Sequence, residues 1–131
     1  MIDRQRLKSL HAREEERFLA RTAKSRALFE KAQGVMPGGV PMSWMAKWPG
    51  KYPLFVASAQ GAHFVDVDGN EYIDLCLGDT GSMTGHSPEP TVAAISSQLK
   101  KGMTAMLPTD DAVAVSSEDR KSTRLNSSHR T

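Results

Sequence analysis

The chain has 131 residues, with 17 lysines and arginines, 15 aspartates and glutamates, and a single cysteine, Cys76. This length is typical of one domain, and no stretch reaches the roughly 20 apolar residues that span a bilayer. One cysteine excludes an intrachain disulfide and a cysteine-based zinc site. Since no apolar run follows the charged N-terminus, we do not expect a secretory signal. We expect a cytoplasmic location.

Charge is distributed unevenly along the chain. Residues 1–33 carry 9 basic residues against 5 acidic ones, residues 34–118 carry 4 against 9, and residues 119–131 carry 4 against 1. Two basic ends around an acidic middle do not predict the single basic surface that is typical of nucleic-acid binding. Nucleic-acid binding is therefore only a distant alternative.

Residues 3–33 are predicted as one helix, because no Gly or Pro interrupts them and good helix formers dominate. The apolar residues are too sparse for a continuous buried stripe, which indicates an arm that docks on a partner. Gly34 is suited to a left-handed helix cap. The segment from Pro37 to Pro41 then disfavours helix and strand alike.

Residues 53–75 predict a small antiparallel meander of three strands with one buried face. The pair Asp68-Gly69 lies between two β-prone runs, a strong hairpin pattern because both turn positions tolerate positive φ. The residues that alternation groups on common faces are His63, Val65 and Val67 in one strand, and Ile73 and Leu75 in the next.

A glycine-rich loop, residues 76–86, precedes a helix with clear end signals. Ser87 is a plausible N-cap and Pro88 suits the first helical position. The stripe of this helix consists of Val92, Ile95 and Leu99.

The C-terminal region begins another helix, predicted over residues 111–118. Residues 119–131 contain one apolar residue, Leu125, and are expected to be disordered. Because they resemble translated sequencing-adapter sequence, we expect this tail to be non-native. The predicted segments are the arm 1–34, the loop, meander and helix of 35–108, the helix start 109–118, and the tail 119–131.

Three motifs in order resemble a known family. They are Met36-Pro37-Gly38-Gly39-Val40, the hairpin segment from Gly61 to Asp74, and Gly85-His86-Ser87-Pro88 at a helix start. Together they resemble the N-terminal quarter of a class III aminotransferase, of the pyridoxal-phosphate (PLP)-dependent fold type I superfamily, and in particular its glutamate-1-semialdehyde 2,1-aminomutase-like members. The resemblance implies the N-terminal portion of an α/β fold, in which a helical arm, the meander and a helix follow one another.

The resemblance also implies what the chain lacks. In the family, the Schiff-base lysine and most of the phosphate-binding residues lie beyond the region matched here, and no lysine of this chain falls at the cofactor position. PLP chemistry needs that lysine. We therefore expect a PLP enzyme as the parent, a homodimer that takes a small-molecule amino donor and a keto acceptor, and an inactive chain that does not bind PLP stably by itself. No catalytic, cofactor-binding or metal-binding residue is assigned.

The resemblance suggests Trp44, Gly78, Asp79 and Thr80 as substrate-binding residues. In aminomutases an arginine holds the substrate carboxylate where Met45 stands here, and a tryptophan stands at Asp79. Because Met45 cannot pair with a carboxylate, a transaminase of another amine or amino acid is favoured. An aminomutase-type isomerase and a non-catalytic helical-arm interaction module remain as alternatives.

Several other polar residues have simpler interpretations. We expect His86 to be hydrogen-bonded locally in its turn. The aspartates of the hairpin are expected to be turn or solvent-face groups, and Cys76 to be buried and inert. The hairpin aspartates are Asp66, Asp68 and Asp74.

Overall fold

The computed structural model describes residues 2–47 and 49–122. Four helices and a three-stranded sheet follow one another along the chain. They are α1 (Arg4–Arg21), α2 (Ala23–Gln33), β1 (Val56–Gln60), β2 (His63–Asp66), β3 (Glu71–Ile73), α3 (Glu89–Leu99) and α4 (Asp110–Ser122). The chain divides into two compact units between Thr91 and Val92.

The N-terminal arm consists of two helices, so the prediction of one continuous helix over residues 3–33 was wrong at Thr22. Thr22 has φ −127° and ψ 39°, outside the helical range. Its hydroxyl donates to the carbonyl of Phe18 at 2.6 Å and lies 3.0 Å from the hydroxyl of Tyr52. The break is therefore fixed by a buried contact with a residue 30 positions away, which local helix propensity does not report.

Asp68 in the hairpin turn caps the start of α2. Its carboxylate accepts the N–H groups of Lys24 at 2.7 Å and Ser25 at 2.9 Å. These are two of the donors that a helix N-terminus leaves without an intrahelical partner. The hairpin thus supplies the cap that Thr22, the residue at the N-cap position, does not provide with its side chain.

Two short 3₁₀ helices follow α2, Pro37–Gly39 and Ser43–Lys47. The first lies within residues 37–41, where neither helix nor strand was expected. Gly34 has φ −76°, so it is not the left-handed cap that was predicted. The left-handed glycines lie further on, at Gly38 and Gly39. A Cβ atom on Gly39 would approach the ring of Phe29 to 2.7 Å, so this position requires glycine for space as well as for conformation.

The sheet is the predicted antiparallel meander, in the order β1-β2-β3. Opposite residues include Phe64 with Tyr72 and His63 with Ile73. The hairpin turn is wider than a two-residue loop, because Asp66 and Asn70 are hydrogen-bonded across it. The N–H of Asp66 donates to the carbonyl of Asn70, and the Asp66 carboxylate accepts the N–H of Asn70. Gly69 has φ +89°, whereas Asp68 is not left-handed, so only one of the two predicted positive-φ positions is used.

The packed face of the sheet carries Phe64, Asp66 and Tyr72. The rings of Phe64 and Tyr72 stack with centroids 4.9 Å apart, and Asp66 is 1% exposed. Ile73 and Leu75 do not share that burial, since they are 66% and 93% exposed. The stacked aromatic pair therefore defines the packed face of the sheet, and the aliphatic alternation in the sequence does not.

The apolar core is small. Ala32, Val40 and Tyr52 are the buried apolar residues of the described chain. The ring centroid of Tyr52 lies 5.1 Å from that of Phe18 in α1 and 6.4 Å from that of Phe29 in α2. Tyr52 therefore joins the two arm helices. No helix among the described residues is long and apolar enough to cross a membrane.

The last two helices expose their apolar residues. Helix α3 begins at Glu89, so Pro88 lies just before the first helical position and Ser87 is not the N-cap. The Ser87 hydroxyl donates to the carbonyl of Ala59 instead. The predicted stripe of α3 exists but remains 47–60% exposed. Helix α4 continues to Ser122, so residues 119–122, predicted as disordered, are helical, and residues 123–131 lie outside the described chain.

Candidate functional site

Three of the four predicted substrate-binding residues lie together in the loop between β3 and α3. Gly78, Asp79 and Thr80 follow one another on an exposed turn. Trp44 lies in the second 3₁₀ helix instead, where its indole N–H donates to the Sδ of Met42 at 3.2 Å and the residue is 59% exposed. No hydrogen bond among the described residues connects Trp44 to the loop.

The turn from Leu77 to Thr80 has a left-handed backbone. The φ angles are +50° at Leu77, +63° at Gly78, +54° at Asp79 and +72° at Thr80. The N–H of Ser82 closes the turn on the carbonyl of Leu77 at 2.9 Å. Because an L-residue in this region costs about 1–2 kcal/mol, three non-glycine residues here persist only where the surroundings enforce them.

Asp74 and His86 close the base of this loop. Asp74 Oδ2 lies 2.6 Å from His86 Nε2, and the two side chains are only 13% and 19% exposed. Asp74 Oδ1 accepts the N–H groups of Cys76 and Leu77, each at 2.9 Å. The hydrogen bond with His86, and then that from Leu77, hold the pKa of Asp74 below its usual value.

His86 is also fixed through its backbone. It exchanges two hydrogen bonds with Gly61, at 2.9 and 2.8 Å. A Cβ on the adjacent Gly85 would meet the backbone of Gly61 at 3.2 Å. The prediction of a purely local hydrogen bond for His86 was therefore wrong, since its partners lie 12 and 25 positions earlier along the chain.

Asp66 organises the hairpin beneath the loop. Its carboxylate accepts from the backbone N–H groups of Asp68 and Asn70, the amide of Asn70 and the hydroxyl of Tyr72, at 2.8–3.2 Å. Burial alone would raise the pKa of Asp66, but these donors outweigh it and lower the pKa. Burial, followed by the bond to Asp66, raises the pKa of Tyr72. Asp66 and Asp68 are thus turn and capping groups, not solvent-face groups.

An open groove of about 580 Å³ is lined by residues of α1, of the segment before β1 and of the sheet. On one side the ammonium of Lys51 lies 3.0 Å from Glu15. Cys76 lines the groove and is exposed, so the expectation that it is buried was wrong. The apolar lining consists of Phe18, Leu54, Phe64, Tyr72, Ile73 and Leu75.

The residues of this chain do not by themselves fit PLP. A lysine that forms a Schiff base is activated by desolvation or by a cationic neighbour, whereas all eight lysines here are exposed. They are Lys8, Lys24, Lys31, Lys47, Lys51, Lys100, Lys101 and Lys121. Within the described ranges no group of three potential metal ligands is found either.

Comparison with known proteins gives consistent relatives. The chain is 45% identical over 87 residues to a glutamate-1-semialdehyde 2,1-aminomutase of Methanosarcina acetivorans, covering 66% of this chain and 20% of the relative. It is 42% identical over 91 residues to aminomutase 1 of Cenarchaeum symbiosum, covering 68% and 21%. No protein-family model matches.

Solved structures agree with these relatives. A glutamate-1-semialdehyde aminomutase from Pseudomonas aeruginosa has a TM-score of 0.84 and 38% identity, covering 92% of this chain and 26% of its own. A β-phenylalanine aminotransferase from Variovorax paradoxus has a TM-score of 0.67 and 28% identity, covering 75% and 22%. A transaminase solved with PLP bound has a TM-score of 0.66 and 38% identity, covering 71% and 22%.

The chain spans about a fifth to a quarter of the length of the relatives it matches. Its arm, meander and following helix lie in the same order as the family resemblance implied. In sequence and in fold, the chain therefore corresponds to the N-terminal part of the class III aminotransferases of the PLP-dependent fold type I family.

Proposed function

We propose that this chain supplies the N-terminal part of a class III, PLP-dependent aminotransferase that moves an amino group between an amine or amino acid and a keto acid. The observation that carries the proposal is the match of 92% of the chain to an aminomutase structure, at a TM-score of 0.84 and 38% identity.

In this proposal the chain contributes substrate contacts and not the reaction centre. Gly78, Asp79 and Thr80 present an exposed polar turn, and Trp44 presents an exposed aromatic side chain. The lysine and the phosphate contacts for PLP come from the remainder of such an enzyme, because the exposed lysines here do not fit the cofactor. By itself the chain is inactive.

Two positions favour transamination over isomerisation. Met45, at the position where the resemblance places an arginine, offers no positive charge to a substrate carboxylate. Asp79 stands where the resemblance places a tryptophan, so the loop lacks the aromatic side chain of the aminomutase pattern. An amine or amino acid other than the aminomutase substrate is therefore our first candidate.

An aminomutase is the second candidate, because the curated relatives at 45% and 42% identity carry that name. We further propose a cytoplasmic homodimer as the form of the parent enzyme. We also retain the organisation into arm 1–34, central segment 35–108, helix start 109–118 and tail 119–131, except that the helix continues to Ser122. The arm fits a dimer contact, since α1 has no buried residue; a self-standing interaction module would use the same surface.

A chimera tests this function. Residues 2–122 would replace the matching quarter of the Pseudomonas aeruginosa aminomutase, and amino transfer would be measured with glutamate-1-semialdehyde and with a panel of amines and keto acids. We expect a PLP-loaded chimera that transaminates and isomerises poorly. Met45→Arg should raise isomerisation, whereas Met42→Arg, which adds the same charge nearby, should not.

Two outcomes would contradict the proposal. One is a chimera that folds and binds PLP but transfers no amino group to any acceptor. The other is a stoichiometric absorbance band of lysine-bound PLP in the 131-residue chain itself, fixed to one lysine by borohydride. Size measurements on the same chain test the interaction module, which should be monodisperse and unfold cooperatively.

A further inference from the structure

The left-handed turn from Leu77 to Thr80 needs an external restraint. Leu77, Asp79 and Thr80 all adopt φ between +50° and +72°, a region that non-glycine residues seldom occupy in succession. All three lie in the loop between β3 and α3. Asp79 and Thr80 are exposed, and Leu77 is half-buried. Because Asp79 and Thr80 are exposed, side-chain packing does not enforce the turn. Backbone hydrogen bonds such as that of Ser82 with Leu77 close it, and further restraint acts from its ends.

Asp74 restrains the entrance of the loop. Its own N–H donates to the carbonyl of Ala62 at 2.8 Å, which fixes it to the sheet. Its Oδ1 atom then accepts the N–H groups of Cys76 and Leu77. The first left-handed residue is thereby tied directly to a side chain that is itself anchored.

His86 restrains the exit. Its backbone pairs with Gly61 in an antiparallel bridge, and the next hydroxyl, that of Ser87, donates to the carbonyl of Ala59 at 3.1 Å. The imidazole returns to Asp74 Oδ2 at 2.6 Å. A short hydrogen bond therefore joins the two residues that flank the eleven-residue loop 75–85, across a largely buried contact.

We propose that Asp74 and His86 are positioning residues that hold the 77–80 turn in its left-handed form and so present Asp79 and Thr80 to a small amine or amino-acid substrate. The role for substrate rests on the proposed function, whereas the restraint of the turn does not. Neither residue needs to touch substrate. The sequence marks both only as an aspartate after a strand and a histidine before a helix.

The test is amide hydrogen exchange and scalar couplings on the full 131-residue chain, labelled with ¹⁵N and ¹³C. In His86→Ala, the Ser82 amide, which closes the turn on Leu77, should exchange about tenfold faster, while the Asp66 amide of β2 changes little. The couplings of residues 77–80 should lose their positive-φ values. His63→Ala, which alters an exposed histidine of the same sheet, is the matched control and should leave both unchanged.

His86→Gln distinguishes a hydrogen bond from simple packing. Its amide can donate to Asp74, so the turn should be largely retained, and in the wild type the ¹⁵N shifts of His86 should show a proton on Nε2 at neutral pH. The inference is overturned if His86→Ala keeps the left-handed couplings, or if His86→Gln loses them as fully as His86→Ala. If His86→Ala unfolds the sheet, Asp74→Ala, which removes the acceptor of the His86 bond and of the Cys76 and Leu77 bonds, takes its place under the same criteria.

These measurements use no substrate and no cofactor. A failed chimera with an intact effect of His86→Ala would reject the proposed function and leave the restraint standing. An active chimera, together with a turn that His86→Ala leaves unaffected, would support the proposed function and reject the restraint. The two proposals can therefore fail separately.

Discussion

The carboxylate of Asp68, in the turn between β2 and β3, accepts the N–H of Ser25 at 2.9 Å and so joins the hairpin to the first turn of α2. Ser25 is fully buried, and its hydroxyl accepts the N–H of Phe55 at 3.3 Å. Arm and sheet are thus connected by polar contacts where the apolar core is small.

Removing this cap should destabilise the chain. Asp68→Ala leaves the N–H groups of Lys24 and Ser25 without their acceptor, and we expect a loss of about 1 kcal/mol in the free energy of unfolding, as for other helix caps. Urea unfolding followed by circular dichroism measures it. Glu16→Ala, which removes an exposed carboxylate within α1, is the control and should change stability by less than about 0.5 kcal/mol.

Tyr72→Phe should raise the pKa of Asp66. The substitution keeps the ring that stacks on Phe64 but removes the hydroxyl that donates to Asp66 Oδ2 at 3.0 Å. Because that donor stabilises the ionised carboxyl, its loss should also cost about 1–2 kcal/mol of stability. The carboxyl ¹³C shift of Asp66 against pH reports the change; an unmoved titration would contradict the hydrogen-bond account.

Stability should fall in acid. The pKa values of Asp66, Asp68 and Asp74 are all lowered in the folded chain. Below the unfolded aspartate pKa of about 3.9 the unfolded state binds more protons, so stability decreases as pH falls through the folded values. Urea unfolding at a series of pH values measures this. Asp66→Asn should flatten the acid limb, and an acid limb as steep as that of the wild type in this variant would contradict the prediction.

Thr80→Gly should stabilise the chain. Thr80 is β-branched and has φ +72°, a conformation that glycine adopts without steric cost. We expect a gain of up to about 1 kcal/mol in the free energy of unfolding, reduced by the greater entropy of glycine in the unfolded state. Ser58→Gly in β1 is the matched control and should destabilise, because its backbone is already extended. A loss of stability in Thr80→Gly would argue against strain in the turn.

The exposed stripe of α3 should promote self-association. Ile95 and Val92 are each 47% exposed and Leu99 is 60% exposed on one side of the helix. Ile95→Lys should lower both the binding of a hydrophobic dye and the sedimentation coefficient at high concentration. Ser97→Lys places the same charge on the opposite side of α3, so an equal effect of the two variants would show that net charge, and not the stripe, is responsible.

The sequence by itself determined the local elements. Freedom from Gly and Pro placed the arm helices, and Asp68-Gly69 placed the hairpin. The three spaced motifs indicated the family. These features depend on residues within a few positions of one another, where propensity and turn chemistry act directly.

Only the tertiary structure decided the break at Thr22, the packed face of the sheet and the hydrogen bond between Asp74 and His86. The break at Thr22 depends on Tyr52, and the hydrogen bond of Asp74 depends on His86 at the other end of the loop. Both partners are distant along the chain. Local patterns carry no information on such pairings, because a buried polar group takes whichever partner the fold brings within hydrogen-bonding distance. For the same reason, the sequence could place Asp79 and Thr80 in a loop but could not show that their backbone is left-handed.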